Sequence, residues 1–290
     1  MSRPNPALNR NPPPPATPSA GQRVAWHSDR NAVHANPAAT GHTTPADDVA
    51  VLLLADIAAG HRLWGWSRIV RGGAALSGVP GLRMAKALGS GHHGGFGLRP
   101  SASRQGLFAI FASAAAADDF IERSAVVRTY RQRAGEFLVA KLRATSSRGA
   151  WDGASMAVTA TAAATATATA SATAIAHEAT PPSGPVAALT RASIRPSKAL
   201  QFWRQSPLSE AALAAAPGCR LAVGLGEAPV LRQATFSVWD NQAAMDAYAR
   251  GGAHLDAIRG AQAGDWFSES MFVRFVPLLL QGRWQGRDHG

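Results

Sequence analysis

Apolar positions recur along the chain in two matching series. In the first, Val49 to Leu54 is a short apolar run that reads as a strand, and Leu63 to Leu76 has the period of a helix. Leu82 to Leu88 and Leu107 to Phe111 read as two further strands. An Ala-rich stretch with helical spacing follows from Ala114 to Tyr130, and Phe137 to Leu142 supplies a last strand. The second series opens with a strand from Val186 to Ile194, and Ala199 to Phe202 begins a short helix. Two strands, a helical stretch from Asn241 to Arg259 and a closing strand from Met271 to Leu280 complete it. Each series is therefore β-α-β-β-α-β, the order of the ferredoxin-like split unit.

The series also match in detail. Pro80-Gly81-Leu82-Arg83-Met84-Ala85 answers Pro217-Gly218-Cys219-Arg220-Leu221-Ala222, and Gly106 to Phe111 answers Ala234 to Trp239. Each half closes on a similar tail, Gly149-Ala150-Trp151-Asp152-Gly153 against Gly282-Arg283-Trp284-Gln285-Gly286. Matching elements in one order at one spacing indicate duplication. The predicted fold class is α+β: two tandem ferredoxin-like repeats packed sheet to sheet as a fused dimeric α/β barrel. Helices cover one face of each sheet, and the apolar interior between the sheets is the expected ligand cavity.

Two segments stand outside the repeats. Residues 1–46 include the run Pro12 to Pro15 and few large apolar side chains, too few to offset the entropy of ordering, and read as a disordered tail. Residues 154–183 are dominated by alternating Ala and Thr. Their long uncharged stretch raises a membrane span, but Ala and Thr give too little apolar transfer energy, so the segment reads as a low-complexity linker. The first repeat is then 47–153 and the second 184–290.

Composition narrows the function. Hydrophobic residues make up 46% of the 290 positions, ample for a core, and charged residues only 16%. The net charge of +11 is spread over the tail and both halves, not gathered into a basic stripe with interleaved aromatics, so no nucleic-acid partner is expected. The densest basic run is Arg123, Arg128, Arg131 and Arg133, read as a solvated helix face or as attraction to an anionic membrane surface. The single cysteine, Cys219, excludes an intramolecular disulfide and a multi-cysteine zinc site, and argues against a cysteine-ligated iron–sulfur cluster within the chain. It sits in a predicted strand and reads as a small buried residue. The N-terminus lacks the apolar segment of a secretory signal, so the expected location is the cytoplasm, with peripheral membrane contact.

Most familiar chemistry is absent from the sequence. Gly89-Ser90-Gly91-His92-His93-Gly94 matches G-x-G-x-x-G, but the following Gly95-Phe96-Gly97-Leu98-Arg99-Pro100 cannot open the helix that would receive a pyrophosphate. A glycine-rich hairpin carrying two loop histidines is expected there. No G-x-S-x-G elbow, H-E-x-x-H or clear facial triad occurs. His254 stands apart: the paired glycines Gly251 and Gly252 interrupt a helix just before it, and the first repeat has Val126 and Val127 in the comparable place. A histidine in one half against valines in the other suggests a site in one half only. Neutral imidazole is a common axial ligand of haem iron, and its second nitrogen usually donates to a carboxylate or carbonyl, with Asp256 one candidate partner. A surface or cap histidine is the competing reading.

A family resemblance supplies what these residues leave open. Gln233 to Trp239, Ala243-Ala244-Met245, Ala253-His254, Asp265-Trp266-Phe267 and the closing Gly282 to Asp288 resemble the spheroidene monooxygenase family of phototrophic and carotenoid-making bacteria. Pro80-Gly81-Leu82, Gly89-Ser90-Gly91, Gly95-Phe96, Val126 to Arg131 and Gly184 to Ala192 are similar as well. The resemblance spans residues 47–153 and 184–290. It implies hydroxylation of an acyclic carotenoid such as spheroidene at C-2, repeated at the same carbon, with loss of water to a 2-ketone of the spheroidenone type. It further implies O2 as co-substrate, haem iron as the oxygen-activating cofactor and a reduced ferredoxin-type electron donor; the membrane expected for peripheral contact is the inner or photosynthetic one. His254 would be the proximal haem ligand, with Arg232 and Trp239 contacting propionate and substrate. A haem-dependent lyase of the same barrel type and a non-catalytic haem or lipophilic-ligand carrier are the alternatives.

Overall fold

The computed structural model describes residues 48–95, 97, 99–158, 184–228 and 231–290. The tail 1–46 and most of the Ala/Thr linker lie outside them. The first repeat consists of β1 (Val49–Ile57), α1 (Arg62–Arg71), β2 (Leu82–Gly91), β3 (Pro100–Phe111), α2 (Ala114–Arg123), α3 (Ala125–Arg133) and β4 (Ala134–Gly149). The second consists of β5 (Val186–Ile194), α4 (Ala199–Ala214), β6 (Cys219–Ala228), β7 (Arg232–Trp239), α5 (Gln242–Ala249), α6 (Gly252–Ala263) and β8 (Phe267–Trp284), and ends in the short β9 (Arg287–His289). Both expected repeats are present, in the expected order.

Within each repeat the strands pair antiparallel, as β4-β1-β3-β2 and as β6-β7-β5-β8. Two seams join the halves. β2 meets β6 through Gly89 opposite Gly226 and Ser90 opposite Leu225, while β4 and β8 run together from Leu138 opposite Gly282 to Gly149 opposite Met271. The eight long strands therefore close into a barrel, and β9 pairs with the end of β8. Closure explains why β1 and β5 read as near-continuous apolar runs. One face lines the barrel and the other receives helices, so neither can be polar.

The interior departs from the expected cavity. Leu52, Phe108, Leu138, Leu189, Val223, Phe236 and Val273 are fully buried there and come from both repeats. An eight-stranded barrel is just wide enough for its own side chains to fill, and here they do. The first residues of the Ala/Thr segment also belong to this core. Ala154 bridges to Trp151, Met156 is buried against the barrel residues, and the Ala157 amide donates to the Asp48 carboxylate at 2.7 Å.

Outside the barrel each repeat has its own helix–sheet layer. In the first, Val51, Leu53, Phe111, Phe120, Val127 and Tyr130 form a broad apolar cluster; in the second, Val186, Ala188, Leu213, Trp239 and Met245 form a smaller one. The second helical stretch of each half is broken in two. Ser124 ends α2 and caps α3, its hydroxyl accepting from the Val126 amide at 3.0 Å. Gly251 plays the corresponding part before α6 without a side-chain cap. The sequence period continues across both breaks because the two short helices lay the same face on the sheet. α4 extends well past Phe202, to Ala214, and carries Pro207 within it.

Candidate active site

The second repeat's outer layer departs from the first at three equivalent positions. Asn241 caps α5, its side chain accepting from the Ala244 amide at 2.9 Å, as Ser113 caps α2 through the Ala116 amide at 3.2 Å. Counting from these caps, Trp239 answers Phe111 and Tyr248 answers Phe120. Counting from the caps of α6 and α3, His254 answers Val127. In the first repeat this trio is apolar and buried, with Phe111 and Phe120 tilted at 5.1 Å between centroids. In the second, Trp239 and Tyr248 keep that geometry at 5.3 Å, and the His254 ring stacks on Tyr248 at 4.6 Å and 23°. An apolar trio has become a Trp–Tyr–His column, and His254 faces the sheet because Val127's place faces the sheet.

The polar ends of the column are tied down. Trp239 Nε1 donates to Ser237 Oγ at 2.9 Å, and Tyr248 Oη donates to the Ser209 carbonyl on α4 at 3.3 Å. Burial pushes the Tyr248 phenol up to about 12, so it stays protonated and a donor. Burial also pulls His254 below its ordinary value, which keeps the imidazole neutral at pH 7. Stacking occupies a ring face, whereas metal coordination uses the in-plane lone pair. Among the described residues none hydrogen-bonds the His254 ring nitrogens. Asp256 is exposed and stands two positions on, and side chains two apart on a helix do not face each other.

A cleft of 340 Å³ opens on the same side of β6, and its walls do not include Trp239, Tyr248 or His254. It is lined by Glu210 and Ala214 of α4, Cys219, Arg220 and Ala222 of β6, His93, and the Trp284–His289 hairpin, where Arg287 adds a second cation. Cys219 and Ala222 also pack into the cluster around Trp239. Cys219 is thus half-buried at a cleft wall, not enclosed as expected, and burial raises its thiol pKa. His92 and His93 lie exposed in the turn between β2 and β3, as the glycine-rich hairpin required.

These groups suit a haem in kind. A single neutral histidine with an uncommitted nitrogen is a group that could hold haem iron, and Arg287 at the cleft would suit a carboxylate. Among the described residues no set of three His, Cys, Asp or Glu is arranged to hold a bare metal ion.

Arg232 is not part of this neighbourhood. It begins β7 and Trp239 ends it, about 23 Å apart at 3.3 Å per residue, and the two point to opposite faces of the sheet. Arg232 joins a charged cluster at the far mouth of the barrel. Lys86 contacts Asp152 and lies 3.0 Å from Glu227; Arg191 contacts Glu269 and lies 3.6 Å from Glu227; Arg232 lies 3.8 Å from Glu227. The buried Trp151 sits among them, its Nε1 donating to Glu227 at 3.1 Å and its ring 5.4 Å from the Arg191 guanidinium. Burial pulls Lys86 down, but hydrogen bonds and charge from Asp152 and Glu227 outweigh this and hold it above its ordinary value. Asp152 is held low by its bond to Lys86. Glu269 is held low, against burial, by the Gly153 and Asp152 amides and by Arg191.

Sequence reading missed this cluster. Its only signal was charge at positions in phase with core residues, Arg191 with Leu189 and Glu269 with Met271. The other end of the barrel shows what was substituted. Trp284 takes Trp151's part there and Glu136 takes Glu269's, accepting from the Gln285 and Gly286 amides at 2.9 and 2.7 Å. Leu54, Ser90 and Gln285 stand where the charged mouth has Arg191, Glu227 and Asp152.

The architecture is that of a fused dimeric α/β barrel with one differentiated helix–sheet site, and comparison with known proteins narrows the class. A spheroidene monooxygenase from Rubrivivax gelatinosus is 56% identical over 248 residues, covering 86% of this chain and 89% of that one. One from Rhodobacter capsulatus is 33% identical over 226 residues, covering 78% and 88%. This chain belongs to the spheroidene monooxygenase family and is an oxygenase. No protein-family model matches it. Among solved structures, an anthrone oxidase-like protein aligns over 84% of this chain and 97% of its own, at 13% identity and a TM-score of 0.28.

Proposed function

We propose that this protein converts an acyclic carotenoid such as spheroidene to its 2-ketone, with haem held by His254. In each of two rounds one C–H bond becomes C–OH. One oxygen atom of O2 enters the substrate, and the other leaves as water with two electrons from a reduced ferredoxin-type donor and two protons. The geminal diol then loses water to give the ketone. The bound haem would supply oxygen activation; the chain supplies position and environment. Neutral His254 offers its lone pair from α6, with its ring plane set by the stack on Tyr248. The Tyr248–Ser209 bond ties α5 to α4, so the column is braced from both helices. Arg287 would present a cation to a propionate at the cleft, where Arg220 is already paired with Asp240. Trp239, fully buried under Tyr248, gives the column a rigid aromatic base.

The observation that carries this reading is the replacement of Val127's counterpart by His254 on an otherwise duplicated scaffold. Membership of an oxygenase family favours it over a lyase or a carrier. The test has two arms. Pigments from spheroidene-producing cells with the gene should gain one keto oxygen in place of two hydrogens, with a red-shifted absorption band. Purified His254→Ala should lose the Soret band that the unaltered protein shows after haem loading. An unchanged Soret band in a folded variant removes His254 from the site, and unchanged pigment in cells holding soluble, haem-loaded protein refutes the reaction.

A further inference from the structure

α1 shows an apolar face on both sides. Trp64, Gly65 and Ile69 turn inward, but Leu63 is 89% exposed, Val70 84% and Trp66 42%. At about 100° per residue these three share an arc of roughly 60°, bracketed by Arg62 and Arg71. α3 lies alongside, with Tyr130 edge-on to Trp64 at 5.0 Å and the Arg133 guanidinium 4.6 Å from the same ring. Together the two helices carry Arg62, Arg68, Arg71, Arg128, Arg131 and Arg133 and no Asp or Glu. Among the described residues none of the six is in an ion pair, whereas Arg83, Arg123, Arg220 and Arg250 each meet a carboxylate. The corresponding helix of the second repeat, α4, also exposes Leu200 and Leu208, but it carries one arginine, Arg204, and one glutamate, Glu210.

Single exposed apolar side chains are ordinary on a protein surface. A short arc of them flanked by unpaired arginines is the pattern of a helix lying in a bilayer interface, where aliphatic groups reach the acyl boundary and guanidinium groups meet phosphates. Tryptophan favours the same depth. Three side chains on one short helix fall well below the about 800 Å² per partner of a stable protein interface. The charge is complementary to an anionic surface.

We propose that α1 docks this protein on an anionic lipid bilayer, with Leu63, Trp66 and Val70 inserted and the α1 and α3 arginines on the headgroups. The proposal stands on these two helices and does not rest on the haem or the carotenoid. Its test is sedimentation of the full chain with vesicles of phosphatidylcholine, with and without phosphatidylglycerol. Binding is expected to phosphatidylglycerol vesicles, and Leu63→Ser/Val70→Ser should weaken it roughly tenfold or more through loss of inserted apolar area. Arg62→Gln/Arg71→Gln should reduce the preference for the anionic lipid. Both pairs are exposed, so circular dichroism and thermal midpoint should be unchanged. Failure to sediment with phosphatidylglycerol vesicles, or equal binding by the serine variant, overturns the proposal. So does a serine variant that loses affinity for an acidic ferredoxin while keeping its vesicle binding, which would make the face a protein-docking surface.

Discussion

Replacing Arg191 by Met tests whether the charged mouth of the barrel holds the fold together. Arg191 is 1% exposed, and its counterpart in the first repeat, Leu54, is fully buried, so the position accepts an unbranched apolar side chain of similar length. Removing one partner from a buried ion pair costs about 3–5 kcal/mol, because the other charge is left uncompensated. Two features reduce that figure here. Glu227 and Asp152 keep Lys86 and Arg232 as neighbours, and Glu269 keeps its backbone donors. The Arg191 Nε and Nη2 also lack hydrogen-bond partners among the described residues, and removing buried unmet donors returns about 1–2 kcal/mol. The expected loss at pH 7 is therefore about 2–3 kcal/mol, or roughly 5–10 °C in Tm for a domain of this size.

The pH dependence gives the sharper result. Asp152 and Glu269 have carboxyl groups held below their ordinary values, so their contribution is present above the unfolded pKa near 4 and lost as pH falls through the folded value. Lys86 is held above its ordinary value, so its contribution is present below the unfolded pKa of about 10.4 and lost as pH rises through the folded one. Urea unfolding followed by tryptophan fluorescence should thus show a large Arg191→Met effect at pH 7 that is smaller at pH 3, below the unfolded carboxyl value. An equal effect at both pH values would mean that packing, not charge, is what Arg191 supplies. No effect at pH 7 would refute the cluster as a stabilising network.

Three further outcomes follow from the same structure. His254→Val, which restores the first repeat's residue, should change unfolding free energy by no more than about 1.5 kcal/mol while abolishing haem loading, since an aromatic stack is worth only about 0.5–1.5 kcal/mol; a collapse of the fold would show that the histidine is structural. Gly282→Ala should lower Tm by several degrees, because Gly282 has φ +122 and an added Cβ would collide with the Phe137 backbone at the β4–β8 seam; an unchanged midpoint in differential scanning calorimetry would contradict that seam. Met156→Ala should cost about 2–3 kcal/mol in urea unfolding if the start of the Ala/Thr segment is part of the barrel core, and a cost near zero would return it to the linker.

The duplication, the order of strands and helices and the barrel class were all legible in the chain alone. They rest on local periodicity and on matched turns such as Pro80-Gly81 and Pro217-Gly218, which need no knowledge of distant neighbours. His254 was legible for the same reason, as one repeat's departure from the other. What local pattern cannot carry is which residues meet. A strand period of two marks two faces, but it does not say whether the inner one encloses a cavity or a packed core, and here Phe108, Phe236 and their neighbours fill it. Arg232 and Trp239 are seven residues apart on β7, and only pairing and side-chain parity send one into the barrel mouth and the other under the helices. In the sequence Arg191 is one charge within an apolar strand, with no local mark of a partner. Its role emerges only when closure brings Glu227, Asp152 and Glu269 to it from three other segments, because ion pairing depends on spatial neighbours that tertiary structure alone supplies.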